Sequence, residues 1–220
     1  MKKLILIFFG IAFFQLSHAQ SFFKHALVLS GDYGFEAYST SQQYTVQDLG
    51  TSKTINSSIS ATNFSAGAEF GVFSWLGLGL QGKLDNYSIA KDSTGYQPKA
   101  ASGEIGAVID IHFIHIDKMD LLAGVNIGYS SFNYSYTNNS FNYQYSGGGL
   151  WTDVHATFRY YFGSRFGIHA SAYIPLTNYS NLSSNYSDWQ SGQSVLNQWK
   201  NTGGGFSLGI QFRLFSLPKV

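Results

Sequence analysis

Eight stretches of this chain alternate apolar and polar side chains with period two, and no apolar run approaches the ~20 residues that a membrane-spanning helix needs. The last is the clearest. Phe206, Leu208, Ile210, Phe212 and Leu214 share one parity, while Ser207, Gly209, Gln211 and Arg213 share the other. Strand side chains point alternately to opposite faces, so each stretch reads as a strand with one apolar and one polar surface. The fold class is all-β. Strands are predicted at 26–38, 63–73, 76–90, 101–114, 121–136, 149–162, 166–179 and 203–215.

The connections between them alternate in length. Ser39 to Thr62 is long and polar, Ser74 and Trp75 make a tight link, Lys91 to Ala100 is longer, and Asp117 to Asp120 is short. Thr137 to Gly148, a tight Gly163 to Arg165, and a long Ser180 to Thr202 complete the series. Short turns on the periplasmic side and longer loops outside are the rhythm of outer-membrane barrels. The expectation is an eight-stranded antiparallel up-and-down transmembrane β-barrel with short periplasmic turns, long extracellular loops and both mature ends in the periplasm. A strand of about 11 residues, rising ~3.3 Å per residue and tilted ~40°, matches the apolar band of such barrels.

Which face meets lipid follows from what each carries. The apolar parity includes Leu29, Tyr33 and Phe35, Phe64 and Phe70, Leu78, Leu80 and Leu84, and Ile105, Ile109 and Ile111. It continues through Val125, Ile127, Val154, Phe158, Ile168 and Ile174 with no charge. A charge at mid-bilayer costs roughly 2–4 kcal/mol, so lipid exposure demands such a stripe. A soluble lipocalin-like periplasmic binder would instead turn the stripe inward and need a surface dense in Lys and Glu. The polar parity is small instead, with Gly67, Gly71, Gly77, Gly79, Gly106, Gly124, Gly128, Gly167 and Gly209 upon it. Small residues suit a crowded interior, so the soluble barrel ranks third among the readings.

Compartment is written in the first residues. Met1, Lys2 and Lys3 precede an apolar run from Leu4 to Phe14, and Ser17, His18 and Ala19 put small residues where a signal peptidase reads. Residues 1–19 are expected to be a cleaved signal peptide and residues 20–220 the barrel domain. Cleavage would remove two of the 13 lysines and arginines, against 12 aspartates and glutamates, leaving a balance near neutral. No nucleic-acid partner is implied. The absence of cysteine excludes a disulfide framework and thiolate metal ligation.

Ser207, Gly209, Phe212 and Leu214 fit the pattern polar, any, Gly, any, any, aromatic, any, apolar, which resembles the C-terminal recognition strand of outer-membrane barrels. That resemblance implies periplasmic chaperones and the barrel-assembly machinery as partners, although the chain continues beyond Phe215 to Val220. Strand count and loop alternation across residues 20–220 resemble the small eight-stranded families, the OmpA transmembrane domain and the OmpX-like barrels. The resemblance implies a monomer surrounded by outer-membrane lipid and lipopolysaccharide. No peptidoglycan-binding segment is expected after Val220.

Candidate chemistry lies in two places. The polar parity places Asp32, Glu36, Glu69, Lys83, Asp85, Glu104, Asp110, His112, Asp153, His155, Arg159, His169 and Arg213 in the lumen. Glu36, Asp85, Glu104 and Asp153 are expected toward the outer mouth, above a basic floor of His112, Arg159, His169 and Arg213. Such charges are expected to pair and plug an interior that eight strands leave barely wide enough for side chains, with small or no conductance. His169 and Ser171 are similar to the His, any, Ser element of outer-membrane lipid A deacylases, which implies a deacylase-like hydrolase as the alternative function. Ala172 replaces that family's asparagine, no acidic residue follows until Asp188, and both side chains are expected in the lumen. The segments 39–62 and 180–202 mix Ser, Asn, Gln and Thr with Tyr44, Tyr179, Tyr186, Trp189 and Trp199, which suits protein or glycan contacts. The leading expectation is a non-enzymatic structural or surface-interaction role, adhesin-like, through these loops. No catalytic residue, cofactor or metal ligand is assigned.

Overall fold

The computed structural model describes residues 21–46, 49–91, 96–137, 142–185 and 194–214. The expected signal peptide, residues 1–19, and Phe215 to Val220 lie outside the described residues, as do Tyr186 and Trp189. Eight strands follow one another around a closed ring: β1 (Leu27–Val46), β2 (Ser52–Gly71), β3 (Leu76–Ser88), β4 (Lys99–Ile116), β5 (Met119–Thr137), β6 (Asn142–Tyr161), β7 (Phe166–Ser184) and β8 (Ser194–Arg213). Every neighbouring pair is antiparallel. The last seam joins β8 to β1, from Val28 opposite Arg213 to Val46 opposite Ser194. Through the apolar band every strand bonds both neighbours, the condition for a sheet to sit in hydrocarbon; only above it, where β3 ends at Ser88, does β2 from Ser52 to Ile59 pair with β1 alone.

The apolar parity faces outward all the way round. Leu80, Ile105 and Leu208 are each about two-thirds exposed (65%, 65% and 64%), whereas Glu69, Asp110 and Arg213 on the other parity are buried. This overturns the lipocalin-like alternative, whose stripe would be inside. Aromatic side chains mark both borders of the band. Phe73 and Trp75 stack at 5.6 Å beside the short turns, and Phe35 lies 5.6 Å from Phe206 near the other border. Such girdles belong at the two membrane–water interfaces. The short connections, 72–75, 117–118 and 162–165, share one end, which the rule for these barrels makes periplasmic.

At the opposite, outer end the strands are longer than the sequence led us to expect. β1 runs on to Val46 and β2 starts at Ser52, so most of the expected loop 39–62 is a hairpin. Residues 142–148 belong to β6, and β7 and β8 absorb much of 180–202. The reason is physical. Above the apolar band both faces meet water or polar groups, so hydropathy alternation stops, while backbone pairing continues: Thr40 is opposite Ser57 on one side and Asn201 on the other. A spanning strand needs about 9–11 residues. The 20 residues of β1, β2, β6 and β8 therefore carry a rim well clear of the bilayer.

An outward charge near the middle of β3 tests this assignment. Leu80→Arg should cost about 2–4 kcal/mol in urea-induced unfolding from lipid vesicles. A change within about 0.5 kcal/mol, as expected for a water-exposed site, would place that face in solvent.

Candidate functional site

The barrel interior is closed from below by the segment preceding β1. His25 takes φ 67°, the left-handed region that reverses the chain into the first strand, and its amide donates to the Gly71 carbonyl at 2.7 Å. That turn tucks Phe22 and Phe23 under the strands, both buried. Phe22 stacks flat on the His112 ring, 3.5 Å between centroids. The Arg213 guanidinium lies 5.1 Å from Phe23 and 4.8 Å from Tyr161, and donates to the carbonyls of Ser21 at 2.9 Å and Ser164 at 3.0 Å. The periplasmic end is thus stoppered by chain, ring and guanidinium.

Above the stopper the predicted lumen charges all point inward and form paired groups. Arg159 meets Glu69 at 2.6 Å and Asp120 at 3.6 Å, and His112 spans Asp120 at 2.9 Å and Glu69 at 2.8 Å. His155 bridges Asp110 at 2.8 Å and Asp153 at 3.2 Å. The floor is mixed in sign, which corrects the expected basic floor. Asp120 was missed because it was assigned to a turn, yet the inward parity of Asn126, Gly124 and Leu122 leads directly to it. Higher up, the ammonium of Lys83 sits 2.9 Å from Glu36, 3.0 Å from Glu104 and 3.3 Å from Asp85. Asp153 lies with His155, and the other three expected mouth acids surround this one lysine inside the barrel.

Glycine makes room for these charges. A Cβ on Gly77 would collide with the Glu69 carboxylate, and one on Gly124 with Asp110 and His155. Among them lies a cavity of about 80 Å³, lined by Asp32, Gln81, Asn126, His155 and Ser171. That is room for a handful of waters and too little for a passage.

An aromatic plate covers the charges from above. Phe132 stacks on Tyr179 at 4.5 Å and leans on Trp199 at 5.1 Å, with Tyr38 5.8 Å from Tyr87 beside them. Polar tips tie it in place: Trp199 donates to Asn201 at 2.6 Å, Tyr38 to Glu36, and Tyr179 shares a hydrogen with Ser130 at 2.9 Å. Tyr179 and Trp199, expected among exposed loop aromatics, are fully buried. Both occupy inward positions of extended strands, and their large rings fill the lumen where the charges stop.

On the outer side of the plate the rim opens into a cup of about 890 Å³, lined by the upper ends of β3 to β7 with Tyr87, Lys99, Tyr134 and Tyr145 among the walls. A second hollow of about 270 Å³ adjoins it, lined by Tyr44, Tyr134, Tyr136, Tyr143, Tyr145 and Leu196. Tyr134 and Tyr145, 6.1 Å apart, line both. Burial pushes the Tyr44 phenol up to about 12, and burial likewise raises Tyr145. Both Tyr44 and Tyr145 therefore stay neutral at physiological pH.

The hydrolase candidates do not form a catalytic pair. His169 and Ser171 both face the lumen, but Nε2 of His169 points to Asp32 at 3.5 Å and the Ser171 hydroxyl bonds Thr157 at 2.8 Å. No hydrogen bond between His169 and Ser171 makes the serine a nucleophile, and both lie behind the wall that separates them from acyl chains. Among the described residues no group of three or more His, Cys, Asp or Glu is arranged to hold a metal ion.

Lys83 provides the sharpest test of the pairing. Lys83→Met leaves three buried carboxylates without their shared cation, and should destabilise the barrel by about 3–5 kcal/mol in urea unfolding. Lys200→Ala, on an exposed side chain, should shift stability by less than about 0.5 kcal/mol. Equal effects would mean that Lys83 is hydrated in the folded barrel.

No family model and no curated protein matches the sequence. Solved structures do match the fold. The outer membrane protein OprG from Pseudomonas aeruginosa is similar over 90% of this chain and 100% of its own, with TM-score 0.64 at 10% identity. The outer membrane protein AlkL, determined in DMPC lipid bilayers, is similar over 93% of this chain and 96% of its own, with TM-score 0.57 at 13% identity. At such identities the likeness speaks for architecture. Together with the closed ring, the outward apolar band and the girdles, it establishes the chain as an eight-stranded transmembrane β-barrel of the outer-membrane type.

Proposed function

We propose that this barrel resides in the outer membrane as a monomeric, non-enzymatic surface-interaction protein whose binding site is the cup on its outer rim. The observation that carries the reading is a contrast along one axis. Inside the apolar band the lumen is filled by paired charges between a stopper and an aromatic plate. Beyond it the strands continue far past what spanning requires and end in an open hollow walled by tyrosines, amides and hydroxyls. Rigid strand ends that present aromatic and adaptable polar groups suit recognition of an external molecule.

The same reading includes export and assembly. Residues 1–19 are removed before Gln20, and Ser21 then starts the segment that stoppers the barrel. The β8 residues Ser207 and Gly209 face inward, while Phe212 and Leu214 face out, so the pattern that periplasmic chaperones and the assembly machinery would read spans both faces. Lipid and lipopolysaccharide surround the apolar band.

Two measurements check the proposal. In planar bilayers the protein should give small or no conductance, because closing layers lie at two levels; stable nanosiemens channels would make it a pore instead. Cells displaying the barrel should attach to host-cell or matrix surfaces, and the double variant Tyr134→Ala/Tyr145→Ala should reduce attachment at least about tenfold at equal surface level. Undiminished attachment by that variant would remove the cup as the binding site.

A further inference from the structure

We infer that the rim binds an extended segment of another protein, which adds as a strand to the free edge of β2 in the gap above β3. The inference rests on the proposed binding role and names the partner class. β2 pairs with β1 as far as Ser52, whereas its ladder with β3 ends at the Ser60–Ser88 pair. β3 leaves the sheet there, the Gln97 amide donates to the Ile89 carbonyl at 3.2 Å, and β4 starts only at Lys99. Two bonds at the ends of the β1–β2 ladder fix which backbone groups are left over. The Val46 amide donates to the Thr51 carbonyl and the Gly71 amide to that of Ala26, so the odd-numbered residues of β2 bond β1. Ser52, Thr54, Asn56 and Ser58 therefore turn both N–H and C=O to the free side. All of them are exposed. At the outer end no other described strand has so long a one-sided stretch; on β8 it covers only Ser194 to Asn197.

A backbone edge selects its ligand. Each free N–H and C=O is matched by the backbone of another strand at the same two-residue spacing, a repeat that a sugar or an alkyl chain lacks. An unpaired edge in solution is a template for such addition unless proline, charge or a covering segment blocks it. Between Ser52 and Ile59 there is no proline and a single charge, Lys53. The neighbouring side chains narrow the partner. Lys53, Ile55, Ser57 and Ile59 lie on the face that continues the lumen, with Ile59 buried and Ile55 exposed, so an added strand meets apolar surface at alternate positions. Lys53, Lys91 and Lys99 stand exposed about the gap, and residues 49–60, 86–91 and 96–101 include no carboxylate. The fitting segment alternates apolar and polar residues and carries an acidic one. A second copy of this chain does not fit. Identical edges pair about a two-fold axis that crosses the strands, which would stand the partner barrel upside down in the same membrane.

The test uses the full chain refolded in detergent micelles, its folding confirmed for each variant by heat-modifiable migration. It is applied to immobilised synthetic peptides: alternating valine and threonine with one glutamate, the same residues in blocks, lysine in place of the glutamate, and two forms of the first N-methylated on one or the other parity. The alternating glutamate peptide should be retained most strongly, and N-methylation should abolish retention on one parity while sparing it on the other. Asn56→Pro removes an N–H of the free edge without touching the ladder to β1, and should weaken retention at least about tenfold; Thr54→Pro should do the same. Asn56→Ala, which alters only the side chain, should keep it. Equal retention of the two methylated forms, equal retention of the lysine peptide, unchanged retention by both proline variants, or no retention of any peptide would overturn the inference. So would a doubled particle mass that Asn56→Pro abolishes, which would make a second copy the occupant. If attachment depends on Tyr134 and Tyr145 while no peptide is held, the partner class is wrong and the binding role stands. If peptides are held along β2 while attachment ignores both Asn56→Pro and the tyrosine pair, the edge site stands and the adhesive role falls.

Discussion

Closure of the backbone ring is the constraint on which everything else depends. Hydrocarbon offers no partner to an amide or carbonyl, so a sheet can enter it only if its last strand bonds its first. Here the seam of β1 and β8 runs the length of both strands. Once the ring is shut, the two-residue period of the strand leaves each side chain two choices, lipid or lumen. Leu80 and Ile105 take the first; Lys83 and Glu104, a few residues along the same strands, take the second.

Eight strands make that second choice crowded. The lumen cannot hold water enough to solvate its charges, so they must solvate one another. Lys83 is shared by three carboxylates, and Arg159 and two histidines are interleaved with Glu69, Asp110, Asp120 and Asp153. Inward glycines provide the space, since a Cβ at Gly77 or Gly124 would occupy what a carboxylate needs. A pairing this dense fills the barrel, and with Phe22 beneath and Phe132, Tyr179 and Trp199 above it leaves the interior little scope for traffic. The chemistry available to an outside molecule is displaced to the rim.

Much of this was legible in the residue pattern. Parity alone assigned Leu29 to lipid and Arg213 to the lumen, because burial of a charge in lipid is costly enough to leave a clean stripe. It became silent where that cost vanishes. Above Tyr38 the outward residues Ser39 and Ser41 need no apolar character, so strand continuation could not be told from loop, and Tyr179 and Trp199 were taken as exposed. Phe22 and Phe23 precede the first alternating segment, and only a turn at His25, visible in three dimensions, brings them under the barrel. Asp120 was recoverable by following the β5 parity two residues further. The Ser171 hydroxyl shows the opposite lesson: spacing of two beside a histidine suggested a catalytic pair, and the side chains found other partners.

The central claim is that the molecule has an accessible outer cup, a sealed lumen and a periplasmic turn end. Because the chain contains no cysteine, single cysteines can report each compartment without background. With a membrane-impermeant maleimide, Tyr143→Cys should label on intact cells, Ser164→Cys only after the outer membrane is permeabilised, and Ser171→Cys only after the barrel is unfolded. Labelling of Ser171→Cys in the folded barrel, or of Ser164→Cys on intact cells, would contradict the account.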